Sequence, residues 1–186
     1  MDVWVWIVIA AVALAVVAAA VLAWRAARRA RLRETFGPEY ERAVADAQTE
    51  KEAERELGQR LKRRDELQLR RLSQEAAERY EQEWEDVQAR FVDDPVGATR
   101  EADRLVQQVM SERGYPMDEF ERRAELISVD HPEVVENYRR AHETCLAYDR
   151  GDATTEDLRQ AMVHYRSLFA ELLERREATT TPEEAR

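Results

Sequence analysis

The chain has 186 residues, of which 37% are charged, with five Gly, five Pro and a net charge of −10. This length accommodates one membrane anchor and one modest domain, but not two full domains. The acidic balance argues against nucleic acid as the main partner, because phosphate binding needs a concentrated basic surface, and the scarcity of turn residues argues against a sheet-rich fold and predicts an all-α one.

The chain begins with a long apolar segment. Residues 3–24 are 22 consecutive uncharged and mostly apolar positions. As a helix they rise about 33 Å, against a hydrocarbon core of about 30 Å. Trp4, Trp6 and Trp24 mark the two ends, where indole rings prefer the membrane interface. We predict that residues 1–24 are a transmembrane anchor and that the lipid bilayer is a partner.

A cluster of Arg residues follows the anchor directly. It consists of Arg25, Arg28, Arg29, Arg31 and Arg33. The short leader before the anchor holds the acidic Asp2 and no basic side chain. Since positive charge is retained on the cytoplasmic side, we expect the N-terminus outside and the C-terminal body in the cytoplasm. The three Trp and five Arg are the predicted membrane-interface residues.

A cleaved signal peptide is the rival interpretation of this segment. The three Ala at positions 18–20 offer a cleavage site of the small-residue type. Against it, a signal peptide has a positive leader, which Asp2 contradicts, and no Arg cluster beyond the cleavage point. In that alternative the body is secreted or extracytoplasmic.

A charged helix is predicted next. Residues 25–37 form a basic juxtamembrane segment that the Gly37–Pro38 pair ends, and Pro suits the first turn of a new helix. From Glu39 to Leu69 the apolar stripes are thin and acidic and basic residues alternate at helical spacing. We therefore interpret residues 38–72 as a solvated stalk or coiled-coil helix.

Residues 73–176 are predicted to form an antiparallel helical bundle. Ser73, Asp94, Thr154 and the prolines mark helix starts, and apolar residues recur at alternating spacings of three and four between them. The predicted core positions are Ala77, Tyr80, Trp84, Val87, Phe91, Ala98, Ala102, Leu105, Val106, Val109, Met110, Phe120, Ala124, Ile127, Val134, Tyr138, Ala141, Cys145, Tyr148, Leu158, Met162, Tyr165, Phe169 and Leu172. Residues 177–186 have nothing to bury and are predicted to be a disordered tail.

Few residues suggest chemistry. His142 and Cys145 lie three apart on one predicted helix, and His164 lies on another. Two ligands do not make a metal site, so packing is the simpler interpretation and a metal- or ligand-dependent sensor or enzyme stays as an alternative. Asp93, Asp94 and Asp130, which lie beside prolines at predicted helix starts, are interpreted as helix caps. We predict no catalytic residue, no metal site and no cofactor.

Five segments together resemble an uncharacterised family of small actinobacterial membrane or secreted proteins. They are residues 32–40 (LRETFGPEY), 91–95 (FVDDP), 113–116 (RGYP), 128–132 (SVDHP) and 155–165 (TEDLRQAMVHY). The resemblance spans most of the chain and implies an N-terminal anchor and a helical body. It implies no activity and no functional residues.

The combined prediction is a non-enzymatic, single-pass membrane protein. Its charged helices suggest a protein-interaction or scaffold module at the cytoplasmic membrane. The sequence leaves open whether the partner is a second copy of the chain or another membrane-associated protein.

Overall fold

The computed structural model describes residues 3–173, and this part of the chain is entirely helical, with eight helices and no strand. The helices are α1 (Val3–Phe36), α2 (Pro38–Asp46), α3 (Glu50–Asp65), α4 (Gln74–Arg90), α5 (Pro95–Arg113), α6 (Phe120–Asp130), α7 (Val135–Asp149) and α8 (Thr155–Leu173). The all-α prediction is confirmed. The tail predicted at residues 177–186 lies outside the described residues.

The chain divides into two units, one ending at Gln59 and the other beginning at Arg60, so that the boundary falls within α3. The first unit contains α1, α2 and the first part of α3, and we call its folded portion, residues 25–59, the hairpin. The second unit contains the remaining helices, and we call residues 74–173 the bundle.

The stalk prediction is wrong in its helix continuity. We expected a single helix from Glu39 to Leu69, but the structure has two. The chain is not helical between Asp46 and Glu50, and α3 ends at Asp65. The break predicted at Gly37–Pro38 is confirmed, since Gly37 has a φ of 46° and Pro38 opens α2. At that φ a residue with a Cβ is strained, and Gly is not.

The apolar stripes of the stalk are partly buried. Tyr40 and Leu57 are buried, whereas Val44, Ala47 and Leu61 are half-buried. The buried apolar set is Leu32, Phe36, Tyr40, Ala43, Ala53 and Leu57. Burial of such side chains is the main favourable contribution to folding. Arg29 of α1 pairs with Glu50 and Glu54 of α3, so the charged helix lies beside the basic segment.

The starts of α4, α5 and α8 have the predicted caps. The Ser73 hydroxyl accepts a hydrogen bond from the Ala76 amide at 3.1 Å, and the Asp94 carboxylate accepts one from the Gly97 amide at 2.9 Å. At the start of α8 the Thr154 amide donates to the Asp157 carboxylate at 2.7 Å, and the Asp157 amide donates to the Thr154 hydroxyl at 3.3 Å. These bonds satisfy amides that the first helical turn leaves without a partner.

The bundle core lies between α4, α5, α7 and α8. α8 packs against both α5 and α7, α4 packs against α5, and α6 covers α7. Trp84 of α4 stacks on Phe169 of α8 with ring centroids 4.7 Å apart. The pair α4–α5 is antiparallel, but the C-terminal ends of α5 and α8 meet, where Arg113 donates to the Leu172 carbonyl at 3.0 Å. α5 and α8 are therefore parallel neighbours.

The last turn of α3 is tied to α6 through Asp130. Arg64 donates to the Asp130 carboxylate at 2.8 Å and 2.6 Å through two nitrogens, and the Tyr115 hydroxyl donates to its other oxygen at 2.8 Å. Asp130 was predicted to be a helix cap. The structure corrects this interpretation, since Asp130 is the last residue of α6 and accepts side-chain bonds from two distant segments.

Candidate functional site

The apolar part of α1 has no cover within the described chain. Trp4, Trp6 and Trp24 are 64%, 59% and 62% exposed. The segment Ala11–Phe36 contains an 18-residue window with a mean hydropathy of 1.7, none of which is buried. This length and composition suffice to cross a membrane, and a signal sequence has the same properties. The prediction of one long apolar N-terminal helix is confirmed.

The helix continues without a break from this apolar segment through the Arg cluster. Arg29 binds Glu50 at 3.1 Å and Glu54 at 2.7 Å, both on α3. Arg33 lies 3.8 Å from Glu50 and places its guanidinium 5.0 Å from the Tyr40 ring centroid. These ion pairs hold α3 alongside α1, so two of the five predicted interface Arg residues serve the hairpin itself.

The other three Arg residues have different surroundings. The Arg28 guanidinium lies 5.7 Å from the Trp24 ring centroid. It also passes Gly58, where a Cβ would lie only 2.9 Å from the Arg28 Nη2 atom. Arg25 and Arg31 are exposed, and neither makes an ion pair with the described residues. The cluster is therefore divided between residues that build the hairpin and residues that face outward.

A groove runs between α1 and α3, beside the end of the apolar segment. Its volume is about 620 Å³. It is lined by Leu22, Arg25, Ala26, Arg29, Ala30, Arg33, Lys51 and Glu54. Sequence reasoning identified the Arg residues as interface residues but missed Lys51 and Glu54, because nothing in the sequence indicates that α3 returns along α1.

His142 and Cys145, proposed for the metal alternative, each contact an aromatic residue of the bundle. The His142 ring stacks on Phe120 with centroids 3.7 Å apart, and the Cys145 Sγ lies 3.7 Å from the Tyr165 hydroxyl. Burial lowers the pKa of His142 and raises the pKa of Cys145. Within residues 3–173, no group of three or more His, Cys, Asp or Glu side chains is arranged to hold a metal ion.

Asp103 is a carboxylate among the apolar residues of the bundle, and sequence reasoning missed it. Gln107 donates to its Oδ2 atom at 2.6 Å, while its Oδ1 atom is buried without a hydrogen-bond partner among the described residues. Burial raises the pKa of Asp103, against the opposing effect of the Tyr165 hydroxyl. The only signal in the sequence is one acid beside the apolar positions Ala102 and Leu105.

Comparison of the chain with protein-family models, curated proteins and solved structures finds no match. The resemblance to actinobacterial membrane or secreted proteins therefore stays a prediction.

Proposed function

We propose that this chain is a non-enzymatic, membrane-anchored helical protein that holds its bundle at the cytoplasmic face of the membrane and binds protein there. One observation carries the proposal. An uncovered apolar helix, long enough to cross a bilayer, continues without a break into an Arg-bearing hairpin. A hydrocarbon environment would satisfy the apolar side chains of α1, and its helical backbone bonds are already paired.

The charge on either side of the apolar segment supports the orientation. The five Arg lie on its C-terminal side, and Asp2 lies before it. Retention of positive charge in the cytoplasm favours an outside N-terminus. An anionic inner leaflet adds up to about 1 kcal/mol for each nearby basic side chain.

Fractionation and a C-terminal reporter test the anchor and its orientation. We expect the intact chain, with Met1 retained, to stay with membranes in high salt and to need detergent for release. A reporter that works only in the cytoplasm should be active when it is fused after Arg186. A reporter that works only outside the cytoplasm should be inactive at the same position. Recovery of a shortened chain outside the cell would contradict the anchor and support the signal-peptide alternative.

The proposed binding role depends on the attachment of the bundle to the membrane. Anchoring confines the bundle to a thin layer at the membrane, which raises its effective concentration toward other membrane components. Ala53 and Leu57 of α3 are already fully buried, so we place the partner contact on the bundle and not on the stalk stripes. The partner is a second copy or another membrane-associated protein.

Crosslinking of the full chain in membranes tests this role. We expect a specific adduct, either a dimer of this chain or one defined second protein, at native expression levels. The absence of any adduct with crosslinkers that react with both amines and carboxylates would remove the binding role and leave only the anchor.

A sensor role in the bundle is a second candidate, and the buried Asp103 carboxylate favours it. Its Oδ1 atom has no hydrogen-bond partner among residues 3–173, and a bound ligand or water is one explanation for such a buried polar atom. A melting screen against small cations and amines distinguishes the two functions, because only the sensor predicts a ligand-dependent rise in melting temperature that Asp103→Asn abolishes.

A further inference from the structure

The groove between α1 and α3 begins where the apolar segment ends. Leu22 and Ala26 line its apolar part, and Arg25, Arg29 and Lys51 line its basic part. Trp24, which marks the end of the apolar segment, immediately precedes Arg25. From Arg25 to Arg29 the helix rises about 6 Å, which matches the roughly 5–7 Å of headgroup region on each side of the hydrocarbon core.

The basic residues of the groove differ in how their charge is used. Arg29 is held by Glu50 and Glu54 at 3.1 Å and 2.7 Å, so its charge is largely compensated. Arg25 and Lys51 are exposed, and in the part of the chain that the structure describes neither has a hydrogen-bond or ion-pair partner. Arg25 of α1 and Lys51 of α3 thus line one groove without a compensating carboxylate. The Glu54 carboxylate, which also lines the groove, is paired with Arg29.

We propose that this groove binds the phosphate headgroup of an anionic phospholipid from the leaflet beside Arg25. The phosphate lies between Arg25 and Lys51, and the glycerol and upper acyl chain lie against Leu22 and Ala26. The inference rests on the proposed membrane anchor and specifies the lipid class that the anchor recognises.

A lipid fits the groove better than a free phosphate ion does. Arg binds phosphate oxygens through paired donors, and this contribution is available to a phosphodiester and to a free phosphate ion alike. The groove is also apolar on one wall, which contributes to binding only if the ligand has an apolar part. An inorganic phosphate ion uses none of this wall.

Lipid selectivity of the full chain in liposomes tests the proposal. The protein is reconstituted in phosphatidylcholine with a trace of spin-labelled phosphatidylglycerol or spin-labelled phosphatidylcholine, and electron paramagnetic resonance measures the motionally restricted fraction. We expect a preference for phosphatidylglycerol that falls about fivefold or more in the Arg25→Gln/Lys51→Gln variant.

A matched control separates a built groove from diffuse charge. The Arg31→Gln/Lys62→Gln variant removes the same charge from the same two helices at exposed positions outside the groove. We expect it to keep the preference of the natural sequence. Equal losses in the two variants, or no preference for phosphatidylglycerol, would overturn the groove proposal.

Two further results are informative. Displacement of the labelled lipid by inorganic phosphate, but not by chloride at equal ionic strength, would overturn the assignment to a lipid. Failure of the chain to float with liposomes would reject the membrane anchor itself, whereas stable flotation without lipid preference would reject only the groove.

Discussion

Asp103 shows how burial of one carboxylate changes the response of the fold to pH. Its pKa is raised because the bundle removes it from water. The charged form therefore destabilises the fold once the pH exceeds the ordinary aspartate value of 3.8, and the destabilisation is complete above the raised pKa. Protonation at low pH removes it.

We expect Asp103→Asn to be more stable than the natural sequence at pH 7, with the difference shrinking as the pH falls toward 4. The Asn side chain still offers an oxygen to Gln107. Denaturant unfolding of the full chain in detergent at several pH values measures this. Asp93→Asn, at an exposed position, is the control, and a difference that is constant with pH would contradict the argument.

The Asp130 carboxylate forms an ion pair with Arg64 and accepts a hydrogen bond from the neutral Tyr115 hydroxyl. Its side chain is 12% exposed and that of Arg64 is 35% exposed. Asp130→Asn leaves Arg64 with a neutral partner, so we expect a loss of about 1–2 kcal/mol in the free energy of unfolding.

The matched control for Asp130 is Asp152→Asn, which removes an exposed pair with Arg150 in which the side chains are 68% and 63% exposed. Solvent screens such a pair, so we expect little change. Equal losses in the two variants, measured by thermal unfolding, would show that the Arg64–Asp130 pair makes no special contribution.

For single residues, the sequence predicts helix caps but does not predict which carboxylates are buried. Ser73, Asp94 and Thr154 were predicted as helix starts because capping depends on neighbours within four residues. The roles of Asp103 and Asp130 depend on residues from other helices, such as Tyr165 and Arg64. No local pattern contains that information.

At the scale of elements, amphipathic spacing predicted the helices of the bundle but not the return of α3 along α1. The stripe containing Leu57 is short, and Arg29, which pairs with Glu50 at the start of α3, lies about 20 residues earlier, beyond a turn. Periodicity shows which face of a helix is apolar, but it does not show which other helix packs against that face. The groove was therefore not predictable, although its Arg residues were.

Leu57 tests the hairpin. Its side chain is fully buried, and truncation of a buried Leu costs about 2–5 kcal/mol. We expect Leu57→Ala to accelerate hydrogen exchange of backbone amides in residues 32–57 of the full chain in detergent. Leu61→Ala, at a half-buried position on the same helix, should have a smaller effect there; similar acceleration in both would argue against a packed hairpin.

At the scale of the whole molecule, the exposed apolar surface of α1 is what the proposed membrane anchor depends on. Leu14 and Val17 are 72% and 59% exposed near the middle of the apolar segment. An Arg at the centre of a spanning helix costs about 2.5–3.5 kcal/mol on insertion scales. The Leu14→Arg/Val17→Arg variant should therefore move out of the membrane fraction.

Flotation in a density gradient measures that shift and separates membranes from aggregates. The Leu14→Ala/Val17→Ala variant, which keeps the segment apolar, should float as the natural sequence does. Unchanged flotation of the Arg variant would mean that α1 is held at membranes by something other than its apolar surface.

The unbroken path of α1 from Val3 to Phe36 has a mechanical consequence. A continuous helix resists twisting, so the rotation of the apolar segment about its own axis also sets the rotation of the groove. One residue inserted before Arg25 would turn the groove by about 100° about the axis of α1 relative to the apolar segment. In the proposed membrane-anchored state, the number of residues between the apolar segment and the groove therefore sets the direction in which the groove faces.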